Sequence, residues 1–524
     1  MSEIVTVEEV KRRAGLGESV IRLGAQAIAT PAAVDEAARL GVELVRDPGA
    51  GAPAAVSPSW ALSSGKSHNR ADVDREQRAA AGAGIEGQGG PTHAATPREG
   101  EWRSDAREST HRVRQDVSRH TGSSGSRLPR VAVLGGGHGG LATAGHLTLK
   151  GFPVTLFSFF ESELEAVREQ NGVKLIGDVQ GFASIDRVTT SVDTAVGDAD
   201  IILVVYPGLV HTPIASILAG SLRDGQVILL TPGRTGGALE FARTLKRFAV
   251  RSRLYLAEAQ TFMYAAEKRG PATVHVAREK RTMRVAALPA SDNEVVVAKL
   301  RRLYPQIEPA RNVLETSLNN IGAVVHPAPM LLNLPAIERA ASGEHVRHYR
   351  DLITRSMCEM VLEPLDAEKV SVAKAMGLDA WTAQDWYRES YGVVGSSLFE
   401  VLQKNPYYAE FAAPTHLLGY HHILDEIPNS LVPIACFGEF VGVPTPTIRA
   451  IVDLASAVLG FDFWREGRTL ESLGIDGLTL EEMIRYVEEG TLLGKCATNG
   501  LCRTRDGRVF TQFAHIEERA GGVG

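Results

Sequence analysis

The spacing of apolar residues changes several times along the chain, and each change predicts a different kind of unit. At the start, Val5-Thr6-Val7-Glu8-Glu9-Val10 has helical spacing and Val20-Ile21-Arg22-Leu23 alternates as a strand does. Thr30-Pro31 then opens a second helix, with threonine as cap, proline at the first helical position and Asp35 or Glu36 in the next turn. This predicts a small module over residues 1–47. Between Gly49 and Leu128, Ile, Leu, Val, Phe and Met occur only seven times in 80 positions. Such a stretch cannot bury enough apolar surface to offset its ordering entropy, so residues 48–128 are expected to form a disordered linker. Strands and helices begin to alternate at Arg130-Val131-Ala132-Val133-Leu134, the pattern of βαβ units on a parallel sheet. From about Asn312 helical patterns such as Ile353 to Met376 and Pro446 to Leu459 take over. The expected layout is therefore an α/β domain at 129–311, an all-helical domain at 312–490 and a tail at 491–524.

The first strand of the α/β part runs into Gly135-Gly136-Gly137-His138-Gly139-Gly140 and then an apolar helix. Gly135, Gly137 and Gly140 fit G-x-G-x-x-G in its strand–turn–helix context, a Rossmann dinucleotide fingerprint. The first glycine permits the turn, the second lets backbone approach the pyrophosphate and the third lets helix and strand pack closely. His138 and Gly139 share that turn and are assigned to the cofactor with it. The second strand, Phe152 to Phe157, ends at Ser158, near where an NAD-binding chain usually offers an acid to the adenosine ribose. Glu161 and Glu163 follow it, and no arginine is close enough to argue for a 2′-phosphate, so NAD or NADP stays open. Tyr206-Pro207 and Thr231 to Gly233 end later strands. The carboxyl ends of parallel strands face the ligand, which places Tyr206 and Pro207 in the cofactor cleft.

Bulk properties narrow the alternatives. A chain of 524 residues needs partitioning into several cores, and 44% hydrophobic with 23% charged residues is an ordinary globular balance. A net charge of -6 gives no electrostatic reason for a nucleic-acid or anionic-membrane partner. The four cysteines, Cys358, Cys436, Cys496 and Cys502, imply no disulfide framework, and no second pair completes a metal site with Cys496 and Cys502. No basic run with an apolar stretch opens the chain and no uninterrupted apolar run of membrane length follows, so a cytoplasmic location is expected.

Four segments carry a family resemblance. Pro232-Gly233-Arg234-Thr235-Gly236-Gly237-Ala238-Leu239-Glu240-Phe241, Ala257 to Tyr264, Asn319-Asn320 with His326-Pro327, and Gly474-Ile475-Asp476-Gly477-Leu478-Thr479 together resemble opine dehydrogenases of the octopine and nopaline class, in the right order. The resemblance implies a Rossmann domain followed by a helical domain like that of 6-phosphogluconate dehydrogenases. It also implies the reaction: an α-amino acid and an α-keto acid condense to an imine, which NAD(P)H reduces to a secondary-amine dicarboxylate. The partners are then small molecules; a homodimer, and a docking partner for residues 1–47, are left open.

Imidazole suits the required proton transfer because its ordinary pKa lies near neutrality. His326 matches the family's catalytic histidine, although a histidine in an apolar run is otherwise most often structural. The family's later segment, Arg-Tyr-x-x-Glu-Asp-x-Pro, reads His421-His422-Ile423-Leu424-Asp425-Glu426-Ile427-Pro428 here. Glu426 stands at the position of the acid that partners the histidine, with Asp425 second. His421 replaces an arginine whose bidentate fork it cannot reproduce, which leaves substrate anchoring open. Asn320 and Thr261 are expected at the substrate, with Tyr264 nearby, though a helix-capping asparagine explains Asn320 almost as well. Arg347 and Arg350 are weaker candidate anchors. Two rivals remain: a related keto- or hydroxy-acid dehydrogenase, which would use a helical lysine such as Lys369 or Lys374, and a cofactor-binding scaffold that has lost catalysis. Finally, Ala27-Ile28-Ala29-Thr30-Pro31-Ala32-Ala33-Val34-Asp35-Glu36-Ala37 with Leu40-Gly41-Val42 resembles a segment of ethanolamine-utilisation accessory proteins of bacterial microcompartments, consistent with a docking module.

Overall fold

The computed structural model describes residues 4–5, 7–23, 28–29, 37, 40–46, 127–417, 421–490, 502–503 and 509–510, with His421 described by its backbone alone. The linker assigned to 48–128 lies outside these apart from its last two residues. The helix expected at Thr30 lies outside them apart from Ala37, and the 491–524 tail apart from two short strands, Cys502–Arg503 and Val509–Phe510.

In the N-terminal module the helix starts later than the spacing predicts. It spans Val7–Gly15, because Ile4–Val5 pairs in parallel with Ile28–Ala29. Val20–Leu23 is a strand as expected and pairs in parallel with Glu43–Arg46. Val5, Val10, Ile21, Leu23, Ala37 and Val42 form its small apolar core.

The α/β domain is built on strands labelled β1 (Val131–Leu134), β2 (Val154–Phe157), β3 (Val173–Gly177), β4 (Gly181–Ala183), β5 (Arg187–Thr189), β6 (Ile201–Val204), β7 (Val227–Leu230), β8 (Tyr255–Ala259), β9 (Tyr264–Gly270), β10 (Thr273–Glu279), β11 (Met283–Leu288) and β12 (Ile307–Pro309). Eight of them form one sheet in the order β12-β11-β8-β7-β6-β1-β2-β5. Every pair in it is parallel except β8 with β11. Strands β1, β6 and β7 are buried along their whole length, which explains why they read as continuous apolar runs rather than alternating ones. A second sheet, β9-β10-β3-β4, lies across the helix His138–Leu149. That helix is sandwiched between the two sheets and buries Gly139 through Leu147, so it needs apolar or small residues on all sides.

Beyond β12 the described residues up to 490 are helical, and the only pairing is the isolated bridge between Arg347 and Ala412. The run expected from Ile353 to Met376 is interrupted by a π-helical turn at Cys358–Leu362, between Arg355–Met357 and Glu363–Ala375. Two other π turns, His348–Leu352 and Ile427–Leu431, each adjoin residues of the site below. An extra residue in a turn re-aims the side chains beside it, and such turns gather at functional positions. No helix among the described residues is long and apolar enough to cross a membrane.

The two domains share a polar junction. Glu258, fully buried at the end of β8, accepts from Ala238 N–H and from the hydroxyls of Thr316 and Ser317. Thr235 Oγ1 donates to Ser317 O, and Ser317 Oγ accepts from Gly236 N. Nearby, Lys280 is 3% exposed and donates to the carbonyls of Phe262 and Tyr264, with its ammonium over the rings of Trp386 and Tyr391. Burial pushes its pKa down to about 7. The unfolded chain, whose lysines titrate near 10.5, therefore binds the extra proton between those values, and stability rises with pH across that window. Thermal melts of Lys280→Met are expected to show a flatter dependence of Tm on pH from 7 to 10 than melts of the parent.

Candidate active site

The glycine turn is shaped by contacts that exclude side chains. Gly135 has φ +136°, and a Cβ there would run into Val205 O; one on Gly140 would run into Gly135 O. Strand β1 and the helix His138–Leu149 can approach this closely only without those carbons. Gly137 differs, because nothing lies within 4 Å of where its Cβ would stand and its φ of -74° suits any residue. It faces open space at a helix start with no side-chain cap, where the first N–H groups are free for phosphate oxygens. The cradle fits a dinucleotide pyrophosphate. His138, the first residue of the helix, is exposed beside it, and Gly139 packs against Val205 and Phe262. Gly137→Val is therefore expected to melt like the parent yet bind NADH at least about tenfold more weakly in a fluorescence titration, the equivalent of one charged hydrogen bond of about 1.5 kcal/mol.

Around this turn, Ser158 is fully buried and its hydroxyl donates to Glu163 Oε2. Tyr206 Oη lies 3.5 Å from Ser158 Oγ, and Pro207 leads into the turn Gly208–Val210. Burial and the neighbouring Glu163 carboxylate raise the Tyr206 phenol, keeping it neutral.

The second cluster lies where the two domains meet. His326 follows the short helix Gly322–Val325 and precedes Pro327. Its Nδ1 is 2.8 Å from Glu426 Oε1 and its Nε2 is 3.2 Å from Tyr349 Oη. An ionised carboxylate only accepts, so Nδ1 carries the proton and Nε2 is the nitrogen left to exchange one. His422 stacks on His326 at 4.0 Å between centroids and 12° between planes. Behind them, His348 Nε2 donates to Val325 O at 3.1 Å. Burial, and then the charge of His326, depress the His348 pKa to about 3, so it braces the backbone as a neutral ring. Tyr349 stacks in turn on Tyr408.

Both acids of the Asp425-Glu426 pair are fully buried, and one guanidinium joins them. Arg234, held at φ +63°, donates Nε to Asp425 Oδ2 at 2.8 Å and Nη1 to Glu426 Oε1. Asp425 also accepts from Leu209 N and Asn429 Nδ2, and Glu426 from Ser430 Oγ. Burial opposes ionisation of Glu426, but Arg234, His326 and Ser430 outweigh it and hold its pKa at about 2. Gly322 leaves room for this: a Cβ there would stand 2.7 Å from the Glu426 carboxyl carbon and 2.8 Å from Arg234 Nη1. A second guanidinium, on fully buried Arg468, grips the same turn by donating to Gly233 O, Thr235 O, Gly208 O and Glu240.

Comparisons with known proteins give this arrangement a family. Residues 309–459 match the model described as NAD/NADP octopine/nopaline dehydrogenase, alpha-helical domain, and residues 130–241 match that of the NAD-dependent glycerol-3-phosphate dehydrogenase N-terminus. An opine dehydrogenase of Arthrobacter sp. (strain 1C) is 37% identical over 358 residues, 68% of this chain and 98% of that protein. The chain belongs to the octopine/nopaline dehydrogenase family. It is an NAD(P)-dependent oxidoreductase of the class acting on CH–NH donors. Protein ocs of Agrobacterium tumefaciens (strain Ach5) is 26% identical over 367 residues, 68% of this chain and 99% of that one. A solved octopine dehydrogenase with NADH and L-arginine shares the fold at TM-score 0.54 and 19% identity, covering 68% of this chain and 98% of that chain.

In this opine dehydrogenase homologue the sequence-derived candidates fall into distinct places. His326, Glu426 and Asp425 come together. Asn320 reaches Ser430 Oγ with Nδ2 and accepts from Gly322 N with Oδ1, so it supports Glu426 through the serine and caps the turn before His326. Thr261 is buried just beyond β8. Tyr264 lies in the core behind the glycine turn, hydrogen-bonded to His146 and Tyr304. The helix His421–Leu424 carries His421, whose side chain lies outside the described residues. Arg347 pairs with Asp351 on the surface, and Arg350 ties down backbone carbonyls of Leu402 and Asn405. Lys369, the group a lysine-dependent relative would use, is buried against Asp366 and Trp381 O. Sequence reading assigned no role to Arg234, Arg468 or Tyr349. For Arg234 the signal was present in the Pro232 to Phe241 motif, but not its left-handed backbone or its buried partners.

Proposed function

We propose that the protein condenses an α-amino acid with an α-keto acid, pyruvate or 2-oxoglutarate, and reduces the resulting imine to a secondary-amine dicarboxylate. The observation that carries the reading is the hydrogen-bonded line Arg234–Glu426–His326, centred on the buried Glu426 at the domain junction, in a chain of this family. The substrate amine adds to the keto carbonyl and gives a carbinolamine. His326, as imidazolium, holds a proton at Nε2 and passes it to the carbinolamine hydroxyl, which leaves as water. Glu426 stabilises that imidazolium through Nδ1, and Arg234 keeps Glu426 ionised while it does so. When bound at the glycine turn, the reduced nicotinamide supplies the hydride for the imine carbon. Tyr349 Oη, 3.2 Å from Nε2, orients the ring toward the reacting centre.

Gly135, Gly137, His138, Gly139, Gly140, Ser158, Tyr206 and Pro207 are read as the cofactor side of this site, and Asn320, Thr261 and His421 as the substrate side. Residues 1–47 are read as a separate docking module and the location as cytoplasmic, supported by composition and the sparse cysteines. The test is whether NADH or NADPH oxidation by the full-length protein needs both substrates. Oxidation only when a keto acid and an amino acid are present together supports the reaction. Oxidation by the keto acid alone points to a hydroxy-acid dehydrogenase on the same fold, and no oxidation with any pair points to a scaffold.

A further inference from the structure

The acid expected at the end of β2 is missing from this chain, since Ser158 stands there, yet a carboxylate reaches the same place from the next helix. Glu163, in the first turn of Glu161–Glu169, folds back over the glycine turn. Its Oε2 accepts from the Ser158 hydroxyl, and a Cβ on Gly136 would stand 2.5 Å from that oxygen and 2.6 Å from Glu163 Cβ. Gly136 is thus a glycine because Glu163 lies on it. Ser158 Oγ itself accepts from Phe160 N at 3.2 Å, so the serine is fixed as the carboxylate's donor. Among the described residues no arginine completes a phosphate fork here: Arg168, on the same helix, is paired with Glu161. Lys268 attracts Glu163 but forms no ion pair with it among the described residues, and its own side chain is exposed.

We infer that Glu163 is the residue that selects the cofactor, accepting the hydroxyls of the adenosine ribose and excluding the 2′-phosphate of NADPH, so that this enzyme uses NADH. In Rossmann domains an acid near the end of the second strand takes the ribose diol, and an arginine takes its place where a 2′-phosphate is bound. The same job is done here from five residues further on, with Ser158 positioning the carboxylate. A 2′-phosphate would meet the half-buried Glu163 carboxylate as a like charge, and the hydroxyl of Ser158 is already committed.

The inference rests on the glycine turn being the dinucleotide site of the proposed reaction, but it is tested by binding rather than turnover, so a different substrate pair leaves the result legible. Dissociation constants for NADH and NADPH are measured on the full-length protein and on Glu163→Gln and Glu163→Ala, with a thermal melt of each. The parent is expected to favour NADH by at least about tenfold. Glu163→Gln, nearly isosteric, removes the repulsion, so its preference falls at least about fivefold, mainly through tighter NADPH binding. Glu163→Ala loses NADH affinity as well. A parent that binds NADPH as tightly as NADH overturns the inference, and so does a folded Glu163→Gln with the parent's ratio. If the alanine variant fails to fold, the glutamine variant decides.

Discussion

His326→Ala is expected to lower kcat by roughly 10²-fold or more, the loss typical of a missing acid–base group, while the dissociation constant for NADH stays within about twofold of the parent. The separation follows from position. His326 lies at the domain junction and is hydrogen-bonded to Glu426 and Tyr349, whereas the glycine turn proposed to receive the dinucleotide is built from β1 and the helix after it. Nothing in the turn's geometry depends on the imidazole: Gly135 and Gly140 are fixed by Val205 O and by one another. Steady-state kinetics with saturating substrates, set beside a fluorescence titration of NADH, checks both halves. Equal loss of turnover and of cofactor affinity would place His326 in a structural role.

The second large effect belongs to Arg234. Replacing it with methionine keeps the apolar stem but leaves Asp425 and Glu426, both fully buried, without their shared cation. Removing one partner of a buried ionic cluster costs about 3–5 kcal/mol, because the remaining charges stay desolvated. Arg234→Met is therefore expected to lower Tm by several degrees and kcat by at least about tenfold, since a protonated Glu426 no longer stabilises an imidazolium. The pH dependence carries the sign. With Arg234 in place the Glu426 pKa is about 2, below that of an unfolded glutamate near 4.5, so its contribution to stability is complete above 4.5 and is lost as pH falls toward 2. Without Arg234 the folded pKa rises, the contribution at neutral pH shrinks, and activity falls off at higher pH on the acid side. Melts and kcat profiles from pH 4 to 8 read both. An Arg234→Met protein with the parent's Tm and profile contradicts the arrangement.

What could be read from the sequence follows from how local each signal is. The glycine turn was legible because strand, turn and helix are contiguous, and the steric demands at Gly135 and Gly140 leave a fixed spacing. The exchange of strands for helices beyond β12 was legible because the hydrophobic period itself changes. His326 and Glu426 were found through family motifs; their spacing of 100 residues carries no pattern of its own. Arg234 and Arg468 could not be read in their roles, since each matters through partners about 190 to 260 positions away, and Arg468 through full burial as well, which an arginine in sequence does not announce. The π turns at His348–Leu352 and Ile427–Leu431 were invisible for a related reason: one extra residue in a helical turn leaves the apolar period almost unchanged while redirecting His348, Tyr349 and the acids beside it.

In the proposed reaction a single site joins an amino acid to a keto acid and reduces the product. Mass spectrometry of the reaction of the full-length protein with NADH, pyruvate or 2-oxoglutarate, and pooled amino acids tests it most directly. The expected product has the mass of amino acid plus keto acid less one oxygen, the balance of losing water and gaining two hydrogens. A product consisting only of the reduced keto acid, with the amino acids unchanged, would contradict it.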